Sequence, residues 1–384
     1  MVSAVRHGAS ARAVARQFHV DHTTVMRWVH RTEGGRLDRA DLADGSSCPH
    51  ITQRTSPKME SLILEVRRGL AHDSDLGEYG AEAIHRELRK RRARECPSPR
   101  TIGRVLERCG ALDGRRRTRR PPPPRGWYLP EVAAHRAELD SFDVIEDLRL
   151  QDGPLLDVLT TRSLHGGLAG AWATEASVSA SVAVSCLVRH WRTHGLPAYV
   201  QFDNDTRFQG PHQHRRVLSR VMRLCLSLGV IPVFVPPYET GFQGMIENFN
   251  GRWQQKVWNR IHYRDLAELR RHSRDFVRAL HRRCAGRPET APPRRPFPQR
   301  WTLDLQRPPQ GTLIYLRRLV ENGKASLLGE SFFVSRRWQG RLVRCQVDLD
   351  HHDLRFFALR RRAPKDQPLL KKMRFQILHR PFRE

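Results

Sequence analysis

The chain has 384 residues, enough for about two to four domains. Hydrophobic residues make up 39% of it, so a buried core is expected and a disordered protein is excluded. Lysine and arginine number 68 against 40 acidic residues, and the net charge of +28 favours a polyanionic partner, nucleic acid first. Arginine-rich codon usage would also raise the charge, but the clustering of the basic residues favours nucleic acid.

The 7 cysteines are scattered and show no pair with the spacing of a zinc site. An odd number of scattered cysteines does not indicate a disulfide framework and is typical of a reducing cytoplasm. No apolar run has membrane-spanning length, and the N-terminus lacks the apolar core of a signal peptide. We therefore expect a soluble, intracellular protein with no membrane partner.

Residues 1–33 are predicted to form a helix-turn-helix. Ser10 can cap a first helix over 11–18, and a turn at 19–21 leads into a second helix. The buried face would hold Val14, Ala15, Phe18, Val25, Trp28 and Val29. The residues left outward for a DNA major groove would be His22, Thr23, Thr24 and Arg27. A plain helical hairpin is the alternative.

A second helical unit is predicted over residues 58–113, after a polar linker at 34–57. Its apolar residues follow helical spacing in three stretches that glycine and proline separate. The last stretch carries Arg100 and Arg104 on its polar side, which suits a second DNA-binding helix. A purely structural three-helix module is the alternative.

Residues 114–129 are predicted to be an extended, basic linker, because the run of prolines cannot fold into a core. Such charge most often contacts phosphates without regard to sequence. The arginines concerned are Arg115, Arg116, Arg117, Arg119 and Arg120. A solvated linker without a DNA contact is the alternative.

The remainder is predicted as an α/β core at 130–286, a linker at 287–310, a small β-barrel at 311–362 and a basic tail at 363–384. Short apolar runs joined by Gly- or Asp-containing turns indicate the barrel. Its five predicted strands are 312–316, 325–328, 332–334, 342–347 and 355–359. The arginines expected on its rim are Arg317, Arg318, Arg336, Arg337, Arg341 and Arg344.

Three acidic residues lie where a structural role explains them poorly. Asp143 lies in the predicted first strand of the core, and Asp203 directly follows the apolar run 198–202. Glu247 lies on a predicted helix, with Asn250 one turn later on the same face. A solvated strand end would explain any one acid alone. Together, carboxylates at one edge of an open α/β sheet indicate ligands for a metal.

Two divalent ions about 3.5–4 Å apart can activate a nucleophile and stabilise the leaving oxygen of a phosphoryl displacement. Such ions take hard carboxylate ligands. One aspartate that bridges both ions, with one further acid on each, meets this need. The three acids therefore predict two Mg²⁺ or Mn²⁺ ions per active site.

Two motifs around these acids resemble those of retroviral-type integrase catalytic cores. Residues 202–208 read Phe-Asp-Asn-Asp-Thr-Arg-Phe and are similar to the family's Asp-Asn-Gly-x-x-Phe motif. Residues 244–250 read Gly-Met-Ile-Glu-Asn-Phe-Asn and are similar to its Gly-x-x-Glu-x-x-Asn helix. With helix-turn-helix units in front and a basic β-rich segment behind, the chain resembles insertion-sequence transposases that carry this catalytic domain.

The resemblance implies a ribonuclease-H-like core and a DDE triad, matched here to Asp143, Asp203 and Glu247. Asp143 would bridge two metal ions and each other acid would hold one. Water would cleave a transposon end, and the freed 3′-hydroxyl would attack target DNA. The groups expected to support the acids or contact DNA are Asn204, Gln243 and Asn250.

The same resemblance implies DNA as the partner, both at the element's ends and at the target. It implies a homo-multimer assembled on that DNA and no small-molecule substrate. The expected location is a bacterial cytoplasm, in association with the nucleoid.

The chain departs from the family's motifs at several positions. Asp205 replaces a glycine, which adds charge and a Cβ at a turn that often needs positive φ. Gln243 replaces an asparagine, and the long gap before Glu247 predicts an insertion around 210–216. Asp140 is an alternative first acid; we prefer the acid three residues later, since its distance to the next strand fits the family's hairpin.

The sequence thus predicts a metal-dependent DNA strand-transferase of a mobile element. A DNA-binding regulator derived from a transposase, with a core that no longer catalyses, is the alternative. A nuclease that processes RNA on the same fold is disfavoured, because a helix-turn-helix precedes the core.

Overall fold

A computed structural model describes residues 1–40, 43, 54–93, 96–112, 125–150, 153–175, 177–210, 214–239, 241–361, 363–377 and 381–382. These residues divide into two compact units, Met1–Met59 (unit 1) and Glu60–Glu384 (unit 2). Among them, no helix combines the length and the apolar character that crossing a membrane requires. Half of the predicted linker at 34–57, namely residues 41–42 and 44–53, lies outside the described residues.

Two of the three α-helices that lie within unit 1 start at residues whose side chains cap them. The Oγ of Ser10 accepts from the backbone N–H of Ala13 at 3.2 Å, and Asp21 accepts from that of Thr23 at 2.8 Å. Val14 and Val25 are buried between the helices. The helices are α1 (Val2–Arg6), α2 (Ala11–Gln17) and α3 (His22–Arg31).

The outward face of α3 carries the residues predicted for a major groove. His22, Thr23 and Arg27 are exposed, and Thr24 is half-buried. Phe18, which we expected in the core, is instead 47% exposed, because α2 ends at Gln17 and the chain turns there. The helix pair thus has the predicted order and caps, with a smaller core than the pattern indicated.

Unit 2 contains most of the helices and all the named strands of the described residues. Its helices are α4 (Pro57–Asp73, which begins at the end of unit 1), α5 (Ala81–Lys90), α6 (Pro99–Arg108), α7 (Pro130–Ala133), α8 (Ala180–His194), α9 (Thr206–Gln209), α10 (Arg220–Ser227), α11 (Gly244–Lys256), α12 (Leu266–Arg283) and α13 (Arg287–Thr290). Its strands are β1 (Leu139–Arg149), β2 (Leu155–Ser163), β3 (Ala169–Glu175), β4 (Tyr199–Phe202), β5 (Ile231–Phe234), β6 (Thr312–Arg318), β7 (Lys324–Leu327), β8 (Glu330–Phe333), β9 (Leu342–Asp348), β10 (Asp353–Ala358) and β11 (Leu369–Arg374).

The strands form one mixed sheet and a separate hairpin. The sheet has 9 strands in the described residues, in the order β11-β10-β9-β6-β5-β4-β1-β2-β3, and β7 pairs with β8. The meander β1-β2-β3 is antiparallel, β1, β4, β5 and β6 run parallel, and β6, β9, β10 and β11 are again antiparallel. Parallel strands need helical crossovers, which α8 and α10 provide.

The sheet is covered on both faces, as a sheet with parallel strands requires. Phe142 of β1 packs with residues of α8 and α10 on one face. Ile145, three positions later and therefore on the opposite face, packs with α11 and α12. This layering leaves the middle of β1 next to α11, where Asn250 donates to Asp143, and so positions the candidate site.

Helices α4 to α6 belong to unit 2 rather than to a unit of their own. The connection is made by the segment before α5. Leu76 joins the core cluster of α11 and α12, and the Glu78 carboxylate accepts from Arg252 at 2.7 Å and pairs with Arg283. The predicted helical module therefore exists and is attached to the α/β core.

Both predicted linkers contain residues that are anchored in the core. Trp127, Tyr128 and Leu129, at the end of the predicted linker 114–129, are no more than 6% exposed. In the predicted linker 287–310, Arg295 pairs with the backbone of Leu196. A proline- and arginine-rich composition concealed these contacts.

The predicted barrel is wrong as a separate, closed domain. Its five strands are found close to their predicted positions, as β6 to β10, but β6 pairs in parallel with β5 and extends the core sheet. The expected tail supplies a further strand, β11. Sequence periodicity shows where a strand lies but not which strand it pairs with, so this continuity was missed.

A buried charge network ties the first strand to the segment before β6. The carboxylate of Asp140, which is 0% exposed, accepts from Arg294 at 2.9 and 2.6 Å and from Trp191 at 3.2 Å. Burial opposes the ionisation of Asp140, but the Arg294 guanidinium outweighs it and holds the pKa below its usual range. Three histidine rings continue from this network, namely His190, His194 and His281.

We expect the C-terminal strands to be required for the fold. A chain of residues 57–310 would lose the partner of β5 and expose the apolar side chains that β6 and β9 cover, such as Phe234. It should show no cooperative thermal unfolding by circular dichroism. The matched control, residues 57–384, lacks only residues 1–56 and should unfold cooperatively. Equal cooperativity of both chains would contradict the continuous sheet.

We also expect the free energy of unfolding to fall below about pH 6.5. Burial lowers the pKa of His190 to about 3 and that of His194 to about 4, from 6.5. In this range both histidines bind more protons in the unfolded chain than in the folded chain. Their contribution to the stability is therefore complete above about pH 6.5 and is lost as the pH falls, by roughly 2 kcal/mol per pH unit. The raised pKa of Asp143 acts in the opposite direction and reduces the net slope. Urea unfolding between about pH 7 and pH 5 measures this slope.

The variant His190→Gln with His194→Gln should flatten the dependence of the unfolding free energy on pH. His262→Gln changes an exposed histidine of the same unit and serves as the control. A double variant with the wild-type slope would show that these two histidines do not cause it.

Candidate active site

The pairing of β1 with β4 brings the first two acids together. The parallel register places Ser141 opposite Gln201, and the Ser141 hydroxyl donates to the Gln201 side chain at 2.9 Å. Asp143 lies two residues after Ser141, and Asp203 lies two residues after Gln201, directly after the end of β4. Because side chains alternate along a strand and neighbouring strands lie about 4.8 Å apart, these two carboxylates share one face at one level of the sheet.

Helix α11 brings the third acid to the same place. Asn250, on the buried face of this helix, donates to Asp143 Oδ2 at 2.7 Å and accepts from the Thr160 hydroxyl of β2 at 2.7 Å. Glu247 lies three residues earlier on the helix, is exposed, and contributes to the electrostatic field at Asp143. The amide of Asn250 therefore fixes the helix that carries Glu247 against the strand that carries Asp143.

The electrostatics of the site reflect the proximity of the acids. Burial raises the pKa of Asp143 to about 7, and the negative charges of Asp203 and Glu247 add to the shift. Burial also raises the pKa of Asp203, and Asp205 adds to it. Aspartates that resist ionisation because of burial and neighbouring negative charge are a place where a bound cation would be stabilised.

The donor set fits a hard divalent cation. The acids in this part of the molecule are two aspartates and a glutamate, whose carboxylates are ligands that Mg²⁺ and Mn²⁺ accept. Within the ranges that the structure describes, no three His, Cys, Asp or Glu side chains lie close enough to hold an ion as they stand. The fit therefore rests on the donor chemistry and the shared face of the sheet.

The alternative first acid, Asp140, has a different role in the fold. It lies three positions before Asp143, so its side chain points to the other face of β1. There it is fully buried and paired with Arg294. A carboxylate saturated in this way is a structural ion pair, which leaves Asp143 as the acid beside Asp203.

The backbone of the turn after Asp203 is unstrained at Asp205, where we expected a strained, positive φ. Asp205 has φ −60° and caps α9 by accepting from the backbone N–H of Arg207 at 2.7 Å, so no positive φ is required. The Arg207 guanidinium pairs with the same carboxylate at 2.6 Å and with Glu146. The extra charge that replaces the family's glycine is thus neutralised locally.

Two phenylalanines of the first motif hold this turn against the core. The rings of Phe202 and Phe208 are buried and stack with centroids 4.7 Å apart. Asp203 Oδ1 accepts from the Asp205 backbone N–H at 3.0 Å. The motif therefore combines an apolar anchor on each side with a polar turn between them.

A cavity of about 900 Å³ opens beside Asp203 and Glu247. Its walls come from the turn after β4, the segment after β5, the start of α11 and the β7-β8 hairpin. The Oε1 of Gln209 and the Nε2 of Gln243 line it, and both atoms are buried without a hydrogen-bond partner among the described residues. Tyr238 is fully exposed at its edge.

Sequence reasoning missed two residues of this site. Arg207 follows the acidic turn and pairs with it, and Arg317, expected on the rim of a barrel, is 6% exposed and donates to Asn204 Oδ1 at 2.9 Å. Because Arg207 follows Asp205 by only two residues, the sequence alone could have indicated this ion pair. For Arg317 the sequence holds no such signal, because the contact spans 113 positions.

The predicted DNA contacts are partly described. Arg100 and Arg104 are exposed on α6, whose opposite face is buried through Ile102 and Val105. The predicted insertion lies around 210–216, of which 211–213 are outside the described residues. Also outside them lie the linker arginines Arg115, Arg116, Arg117, Arg119 and Arg120.

No family model matches this chain, and no curated protein matches it. Among solved structures, it is similar to the simian T-cell lymphotropic virus intasome in complex with PP2A regulatory subunit B56 gamma, at 14% identity over 69% of this chain and 84% of that one, with a TM-score of 0.33. The BIV integrase catalytic core shows 15% identity over 37% and 80%, with a TM-score of 0.27. The HTLV-2 integrase catalytic core in complex with magnesium shows 14% over 42% and 88%, also with 0.27.

Proposed function

We propose that this chain is a DNA strand-transferase of a mobile element, an insertion-sequence transposase with a ribonuclease-H-like core. The observation that carries the proposal is the arrangement of three acids: Asn250, three residues after Glu247 on α11, donates to Asp143 of β1 at 2.7 Å, and Asp203 and Glu247 line one cavity. The charges of Asp203 and Glu247 also raise the pKa of Asp143, which supports a shared site. The net charge of +28 and the exposed residues of α3 supply the affinity for DNA that such a reaction needs.

The three acids would hold two Mg²⁺ or Mn²⁺ ions, which supply a nucleophile activated at neutral pH and charge stabilisation for the leaving oxygen. Asn250 orients Asp143 by donating to its Oδ2 at 2.7 Å. Asn204 and Gln243 line the same cavity as Asp203 and Glu247 and would support the acids or contact DNA. The reaction would cleave an element's end and join its 3′-hydroxyl to target DNA.

DNA would contact the chain at several places. The outward face of α3, with His22, Thr23, Thr24 and Arg27, suits a major groove. Arg100 and Arg104 suit phosphates, and the five arginines of residues 115–120 suit an extended track along the backbone. Cleavage at two paired ends would require a multimer, since one chain contributes one set of acids.

The decisive experiment is strand cleavage and joining on a labelled duplex that carries the DNA flanking the gene. With Mg²⁺ or Mn²⁺ the wild type should produce both products. Asp203→Asn and Glu247→Gln should each lower the rate by more than about 1,000-fold, because a lost metal ligand removes several kcal/mol of transition-state stabilisation. Glu239→Gln, a carboxylate of the same cavity that pairs with Arg318, is the control that should cleave normally.

The alternatives give different results in the same assay. Tight, salt-sensitive DNA binding without products under either metal would favour a DNA-binding regulator with an inactive core. Cleavage of an RNA hybrid in preference to the flanking duplex would favour a nuclease on the same fold. Short inverted repeats around the gene would favour the transposase.

The contribution of the linker arginines is measured by salt dependence. Replacing Arg115, Arg116, Arg117, Arg119 and Arg120 by glutamine should reduce the slope of log affinity against log salt by about 0.9 for each phosphate that is no longer neutralised. Binding should weaken similarly on specific and random duplexes. Arg27→Ala is the contrasting variant, expected to weaken the specific duplex more than the random one; an unchanged slope in the linker variant would contradict a phosphate-binding track.

A further inference from the structure

Arg317 of β6 is a buried arginine with an unusual set of partners. Its Nη2 donates to Asn204 Oδ1 at 2.9 Å, its Nη1 to the Val235 carbonyl at 3.0 Å, and its Nε to the Ser326 carbonyl at 2.8 Å. One guanidinium therefore connects the end of β4, the end of β5 and strand β7. It also lines the cavity that Asp203 and Glu247 share.

Both polar atoms of the Asn204 side-chain amide form hydrogen bonds. While Oδ1 accepts from Arg317, Nδ2 donates to the Val235 carbonyl at 2.8 Å. The Asn204 side chain therefore has a fixed direction, and its backbone follows directly after Asp203. An arginine fork is well suited to this task, because its planar donors keep a set geometry.

The burial of the Arg317 guanidinium is not explained by stability alone. A buried arginine is costly to desolvate, and well-packed apolar side chains often stabilise a fold at least as well. Arg344, on the neighbouring strand β9, shows the ordinary solution, since its guanidinium stacks over the Phe357 ring at 4.5 Å. Arg317 likewise lies over a ring, that of Tyr315 at 5.0 Å, but it also donates to Asn204 in the turn beside the acids.

We propose that Arg317 is a positioning residue for the acid site: by holding Asn204 it fixes the adjacent Asp203, so that a side chain of the C-terminal strands completes the reaction centre. This rests on the proposed function, in which Asp203 holds a metal ion. The C-terminal strands then act on catalysis from within the core sheet.

The test compares Arg317→Met with Arg344→Met, a matched loss of a largely buried arginine from the adjacent strand. Amide hydrogen exchange of the metal-free protein should become about tenfold faster over residues 203–209 in Arg317→Met alone. Mn²⁺ binding, measured by electron paramagnetic resonance, should weaken by about 10- to 100-fold in the same variant. Arg317→Lys keeps the positive charge but lacks the planar guanidinium, so it should restore little of the exchange protection or of the Mn²⁺ affinity.

A second variant covers the case in which Arg317→Met fails to fold. Asn204→Ser loosens the same link from its other end and should also accelerate exchange over residues 203–209. Equal effects of the Arg317 and Arg344 variants on exchange and on Mn²⁺ binding would overturn the proposal, because a general loss of stability would then explain both.

The experiments test the proposed function and the role of Arg317 separately. A wild type that neither binds Mn²⁺ nor cleaves DNA would overturn the proposed function, and with it the catalytic part of this role. Normal cleavage by the wild type, with exchange over residues 203–209 unaffected in Arg317→Met, would overturn the role of Arg317 and leave the proposed function standing.

Discussion

The parallel pairing of β1 with β4 is the constraint on which the site depends. Strand register decides which side chains share a level, and a shift by one residue would send Asp143 to the opposite face. The register is held by the buried hydrogen bond between Ser141 and Gln201 and by apolar packing on both faces of the sheet. The geometry of the site is thus set by the same contacts that stabilise the fold.

The pairing brings like charges together, and the surrounding structure restrains them. Asp143 receives hydrogen bonds from the Val144 backbone N–H at 2.9 Å and from Asn250 at 2.7 Å. Asp203 receives one from the Asp205 backbone. Such bonds favour the charged carboxylate, whereas burial opposes it. The site is therefore held in an electrostatically unfavourable state that a cation would relieve.

Local sequence features predicted much of what is local in the structure. The caps at Ser10 and Asp21, the break between β4 and its acidic turn, and the helix that carries Glu247 all follow from short-range patterns. Asp203 and Glu247 came from motifs whose residues lie within a few positions of one another, and Asp143 from its predicted strand and the distance to the next one. The roles of the three acids remain predictions.

Long-range partners were not predictable in the same way. The apolar run of β6 is compatible with a barrel or with an extension of a sheet, because periodicity carries no information about the neighbouring strand. The burial of Trp127 was missed because the residues before it are prolines and arginines. Asp140 and Asp143 look alike in sequence, and only the alternation of faces, with Arg294 present on one of them, separates their roles.

The continuity of the sheet from β5 into β6 has a consequence for how such a protein can diversify. A segment joined to a core by a flexible tether can be exchanged between lineages by recombination, since only the tether must be compatible. Here a replacement would have to supply a strand that matches the register of β5 at Val233 and Phe234, together with an arginine that reaches the turn of another strand. The C-terminal part should therefore be inherited together with its core.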